Sequence, residues 1–95
     1  MKNLETRFRE DVTTVEWQYL ISHAQRDAII FVTKHLDIIE VGVAIAQDDI
    51  NSVQHWIDKT LIHKPSTAQL TTWNTDSSIS FNTLIVQPFV LIQVI

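Results

Sequence analysis

Cysteine is absent from this chain of 95 residues, which removes disulfides and thiolate chemistry and suits a reducing compartment. Glycine occurs once, at position 42, so there is no material for a phosphate-cradling loop. Basic residues are few and scattered: seven Lys and Arg against eleven Asp and Glu leave a formal charge of −4. Non-specific nucleic-acid binding rests on clustered Lys and Arg meeting phosphates, so no nucleic-acid partner is expected. No apolar run approaches the roughly 20 residues that span a bilayer. The opening Met1-Lys2-Asn3-Leu4-Glu5-Thr6-Arg7 lacks the apolar core of a signal peptide. Together these absences lead to the expectation of a cytoplasmic protein with no membrane partner.

What is present is the composition of a small globular domain, with 45% hydrophobic and 19% charged residues. A length of 95 residues allows a single domain, 1–95, with a modest core. The chain is organised around residues 36–49, which hold the most hydrophobic internal run, four acids and the glycine. Two periods fit this stretch. Ile39, Val41, Val43 and Ile45 alternate like a strand, whereas Ile38, Val41 and Ile45 mark a helical face. The start signals favour a helix from about 38 to 47. Asp37 suits the N-cap, Glu40 stands three residues on as in a capping box, and both charges suit the positive end of the helix dipole. Gly42 costs roughly 1 kcal/mol in such a helix, bearable where it lets another element approach closely. Asp48 or Asp49 then caps a second helix, about 50–60, with Ile50, Val53, Trp56 and Ile57 as its core stripe.

Around this centre the sequence predicts a short helix over 2–11 and another over 15–26. The second has Thr13 and Glu16 at capping-box spacing and Trp17, Leu20, Ile21 and Ala24 as its apolar face. Residues 28–33 read as a buried strand. Pro65 opens a short helix ending near Asn74, with Ser66 and Gln69 as a further capping box. Residues 84–94 are β material interrupted by Pro88, which must sit at an edge, bulge or kink. The fold expected is α+β, mostly helical, with about five short helices and a small antiparallel sheet from about 28–33 and 84–94.

Several of these positions together resemble a family of small bacterial proteins catalogued as a domain of unknown function. The matching residues are Trp17 and Leu20, then Ile29 to Val32. Leu36, Asp37, Glu40, Val41, Ala44, Asp48, Asp49, Val53 and Trp56 follow. Pro65, Trp73 and Pro88-Phe89-Val90-Leu91-Ile92-Gln93 complete the match, in order and over nearly the whole chain. Phe89 stands where the family has Trp, Asn82 where an aromatic is common, and Asp27 where glycine is usual. The resemblance implies no activity.

Candidate chemistry is sparse. Asp37, Glu40, Asp48 and Asp49 are the carboxylates a hard cation would want. Asp37 and Asp48, however, stand at opposite ends of a helix of about ten residues, roughly 15 Å apart at 1.5 Å per residue. Helix capping explains each with less assumed. His23, His35, His55 and His63 show no three- or four-residue spacing on one helix face and no His-Glu-x-x-His pattern. No nucleophile motif is present, and Trp17, Trp56 and Trp73 lie on apolar stripes, where packing is their ordinary role. No catalytic residue, metal or cofactor is expected.

Two functional classes follow. The preferred one is a non-enzymatic interaction protein acting as a homo-oligomer or in a complex. The other is a small enzyme or ligand-binding protein using the four acids. Self-association is expected through the C-terminal strand region, with Ile85, Phe89 and Leu91 in the interface. Residues 84–95 have apolar side chains for both faces of a strand, and a two-stranded sheet leaves those faces and two edges uncovered. A homodimer would supply the missing cover.

Overall fold

The structure is a computed structural model and describes residues 3–95. Among these residues the order is α1 (Leu4–Asp11), β1 (Thr13–Glu16), a single 3-10 turn (Trp17–Tyr19), α2 (Ile21–Gln25) and β2 (Ile29–Val32). Then come α3 (Ile38–Ala46), α4 (Ile50–Asp58), β3 (Ile62–His63), α5 (Thr67–Thr75), β4 (Ser80–Val86) and β5 (Phe89–Val94). The α+β class is as expected, and α1, α3, α4 and α5 lie close to their predicted spans. Position 2 of the predicted first helix lies outside the described residues.

Two expectations are corrected. The 15–26 helix is divided. Thr13, Thr14 and Val15 are β-branched, and they pair antiparallel with β4, Thr13 opposite Thr83 and Val15 opposite Phe81. Thr13 and Glu16 are therefore strand residues and form no capping box. The apolar face was read correctly all the same: Trp17, Leu20, Ile21 and Ala24 pack in one cluster, because a 3-10 turn also brings i and i+3 to one side.

The sheet is five-stranded and mixed, in the order β1-β4-β5-β2-β3, not a small antiparallel one. Residues 80–94 double back as a hairpin around a cis Gln87–Pro88 peptide. Pro88 thus sits in the turn, where it owes the ladder no N–H. β2 lies beside the second arm, which runs in its own direction, so the pairing is parallel, Ile29 opposite Val90 and Val32 opposite Gln93. The edges fall on four-residue β1 and two-residue β3, short strands that offer little template for further pairing.

Both sheet faces are covered within one chain. Leu84, Val86, Leu91, Val32 and Ile62 face Phe8 of α1, Ile38, Ile39, Val41 and Ala44 of α3, and Trp56 of α4. Phe81, Val90, Ile92 and Ile29 face Trp17, Leu20 and Trp73 on the other side. Residues 84–94 do need cover on both faces, but the protomer supplies most of it. Gly42 is where α3 meets the sheet. A Cβ there would stand 2.7 Å from Leu84 Cδ2 and 3.2 Å from Phe8 Cδ2, so the absence of a side chain permits the approach. Gln93 adds a polar tie: its side-chain N–H groups donate to the carbonyls of Thr33 (2.8 Å) and Leu36, holding the loop that delivers α3.

With its glycine inside α3, the chain ends three helices on other residues in the left-handed region: Asp27 (φ 60°), Asp48 (φ 56°) and Thr60 (φ 60°). Each end is closed by paired backbone bonds of the Schellman type, such as Thr60 N–H to Ile57 O (3.0 Å) and Leu61 N–H to Trp56 O (2.8 Å). At Asp27 the backbone takes the conformation that glycine adopts most readily. Thr60 is the most strained of the three because it is β-branched. Thr60→Gly is expected to stabilise the fold by up to about 1 kcal/mol in urea denaturation, strain relief of about 1–2 kcal/mol being partly offset by the entropy of the unfolded chain. A loss of stability would show that the threonine side chain is needed there.

Candidate interaction site

The junction of α3 and α4 is built by caps. Asp37 accepts the Ile39 N–H at 2.9 Å and starts α3. Asp49 accepts the Ser52 N–H at 3.2 Å through Oδ1 and the Ser52 hydroxyl at 2.7 Å through Oδ2. These bonds, the hydroxyl's first, hold the Asp49 carboxyl below the usual carboxylate range. A depressed pKa means the cap acts above the ordinary carboxylate pKa and is lost as pH falls through the lowered folded value. Asp48 is the left-handed residue between the helices. The capping box predicted at α5 is complete, with Ser66 Oγ accepting the Gln69 N–H and Gln69 Oε1 accepting the Ser66 N–H.

The four candidate acids are not brought to one point. Asp37, Glu40 and Asp49 line a cleft of about 340 Å³ together with Glu5, Ser52 and Trp56. Asp37 and Asp49 are already engaged as caps, and Glu5 pairs with Arg9 at 2.8 Å. Among the described residues, no three His, Asp or Glu side chains group closely enough to hold a metal ion. The histidines are dispersed as well: His23 contacts Arg26, and His63 Nδ1 lies 2.8 Å from the Lys64 carbonyl.

The larger feature lies on the other side of α4. A groove of about 540 Å³ runs between α4 and the sheet. It is walled by Ala44 and Ile45 of α3, by Ile50, Val53 and Ile57 of α4, and by Ile30, Ile62 and Phe89 of the sheet. Asp48 and Asp49 stand among its polar lining residues, as do His63 and Lys64; the Lys64 ammonium is paired with Asp27. The lip is apolar and wet, with Ile50 74% and Ile57 50% exposed. The sequence reading placed both in the core with Trp56, which is indeed buried. The angular spread of the stripe held the signal. At roughly 100° per residue, Ile50 and Ile57 lie within about 20° of each other, but Trp56 lies more than about 90° from either. One face serves the core and the other serves the groove.

The three residues expected at an interface are separated by the fold. Leu91 is fully buried at the centre of the sheet and is corrected from interface to core. Ile85 is 52% exposed, but alternation along β4 puts it on the opposite sheet face. Phe89 lines the groove.

The family model described as "Protein of unknown function (DUF2288)" matches residues 3–94. The chain belongs to that family. The solution NMR structure of PA1075 from Pseudomonas aeruginosa is similar to this one, with a TM-score of 0.81 and 24% identity, over 98% of this chain and 85% of that one. At that identity the likeness concerns the fold. No curated protein matches the chain. Among the described residues of this DUF2288 member, no helix is long and apolar enough to cross a membrane.

Proposed function

We propose that this DUF2288 protein is a non-enzymatic interaction protein, working in the cytoplasm as a homo-oligomer or in a complex, and that its docking surface is the groove beside α4. The observation that carries this is the pair Ile50 and Ile57, large aliphatic side chains held in water on the lip of an apolar cavity. Both lie on one nine-residue helix whose inner face is anchored by Trp56, so the surface is presented by a fixed element. Contiguous apolar surface of this kind marks contact sites on soluble proteins. Asp48, Asp49, Gln54 and His63 among the groove's lining residues give the rim polar groups that can orient what docks.

In unfractionated extract of the source cells, the native protein is expected to elute above the 11.0 kDa of one chain. The Ile50→Asp/Ile57→Asp variant, expressed in its place, is expected to elute as a monomer with an unchanged far-UV spectrum after purification. Elution of the native protein as a monomer in extract would overturn this reading.

A further inference from the structure

We infer that the partner in this groove is a basic amphipathic helix of another protein, its apolar stripe along α4 and its Lys and Arg over the acids at the groove's ends; the inference rests on the docking surface just described. Shape sets the apolar part. Ile50, Val53 and Ile57 form a ridge at i, i+3 and i+7, and Ile45, Ile62 and Phe89 wall the cavity beside it. A ridge and cavity of this kind receive the stripe of a docking helix, whose anchors repeat at the same spacing. A small ligand inside the cavity would leave Ile50 and Ile57 in water on the lip. An extended segment would need a sheet edge, and the edge here is two-residue β3, closely followed by Pro65.

Charge selects the sign of the partner. Asp48 and Asp49 line the groove at the start of α4, and neither is in an ion pair among the described residues. Asp49 is engaged only by the neutral donors of Ser52, so its charge stands. The cleft that shares Ala44 and Asp49 with the groove adds Asp37 and Glu40 just beyond. Toward the other end of α4, Asp58 lies about 80° from Ile50 around the helix and accepts a hydrogen bond at 2.8 Å from Gln54, a lining residue. The lysine of the lining, Lys64, is already paired with Asp27. Lys59 lies about 180° from Ile50, on the back of α4 and outside the lining. The groove is thus apolar between two acidic ends, in a chain of net charge −4. Its complement is apolar between basic ends. A second copy would set acids against acids in either direction.

The probe is a labelled synthetic helix of about 15 residues, with Leu at the stripe positions and Lys elsewhere, beside one of the same pattern with Glu in place of Lys. The fluorescence anisotropy of each is followed as the purified chain is added. The Leu/Lys helix is expected to bind at least tenfold more tightly than the Leu/Glu helix. General attraction to an acidic protein would give that preference too, and two variants separate the causes. Ile50→Asp/Ile57→Asp makes the groove more acidic, yet it is expected to weaken binding of the Leu/Lys helix at least tenfold. Asp48→Asn keeps a residue suited to the left-handed backbone and is expected to weaken binding severalfold, whereas Glu16→Gln, on the sheet edge away from β3, leaves it unchanged. Equal binding of the two helices, or binding undiminished by Ile50→Asp/Ile57→Asp, would overturn the inference. A labelled sample of the chain itself binding more tightly than the Leu/Lys helix would assign the groove to a second copy and overturn it as well. Failure of the Leu/Lys helix, with a larger species in extract that Ile50→Asp/Ile57→Asp dissolves, would overturn the basic partner alone and leave the docking surface standing; monomers in extract would remove both.

Discussion

Trp17→Ala is expected to lower the unfolding free energy by about 3–5 kcal/mol, the range for removing a large aromatic from a packed core. Trp17 is 1% exposed and lies under the first arm of the hairpin. Its ring centroid is 5.0 Å from that of Trp73 and 6.2 Å from that of Phe81, and Trp73 in turn meets Phe81 edge-on at 4.9 Å and stacks on Phe31 at 5.8 Å. One substitution therefore leaves a hole against two rings, Trp73 and Phe81, and loosens the Trp73–Phe31 stack behind them. The indole N–H also donates to Asn74 Oδ1 at 2.7 Å, tying the 3-10 turn to α5. Trp17→Phe separates the two contributions. It keeps most of the packing and removes that bond, so its cost is expected to be smaller, the bond itself accounting for about 1 kcal/mol. Urea unfolding followed by far-UV circular dichroism measures both variants without relying on tryptophan fluorescence. A loss below about 1 kcal/mol for Trp17→Ala would mean that this cluster does not hold the second sheet face.

Gly42→Leu is expected to cost about 3 kcal/mol or more, enough to broaden or abolish the cooperative transition of a small domain. The Cβ alone would fall 2.7 Å from Leu84 Cδ2, with Phe8 and Val86 at 3.2 and 3.3 Å. Leu84 is fully buried in the middle of the sheet, and the further atoms of a leucine would meet the same wall. Gly42→Ala is the informative control. Its clash is with the end of a side chain that can shift, and the helix gains roughly 1 kcal/mol from replacing glycine. Its net effect is expected to be small. Thermal unfolding of the two variants side by side gives the comparison. If leucine proved as mild as alanine, α3 would not approach the sheet as closely as Gly42 permits.

The helices around the centre were legible because their signals are local. Asp37, Asp49, Ser66 and Gln69 announce helix starts through short-range hydrogen bonds that the residue types nearly dictate. Gly42 announced a close approach, though not which element would make it. The sheet was much less legible. Whether β2 would run parallel or antiparallel to the C-terminal segment depended on where that segment turned, and the turn at Pro88 reads equally as a bulge or kink when only the neighbours in sequence are known. β1 was hidden because Thr13 and Thr14 serve a helix cap as readily as a strand, and the strand β4 that decides between these is some 70 residues away. The apolar content of residues 84–95 correctly required cover on both faces. It did not say that α1, α3 and α4 would close one face and the 3-10 turn, α2 and α5 the other, which is why Leu91 was misplaced at an interface. Ile50 and Ile57 were misplaced in the opposite sense. Counting the α4 stripe as one face, without its angular width, sent the exposed residues into the core.

The central claim is that the ridge of α4 faces outward, toward a partner, and contributes little to the protomer's own core. Its most direct test is the unfolding free energy of Ile50→Asp/Ile57→Asp, measured by urea denaturation at a concentration low enough to keep the native chain monomeric. Exposed substitutions of this kind are expected to change stability by less than about 1 kcal/mol, including the small penalty for an acid near the end of a helix. Native-like stability together with lost association is the predicted result. Two isoleucines packed in the core could not become aspartates without unfolding the domain, so a variant that failed to fold, or lost several kcal/mol, would contradict the account.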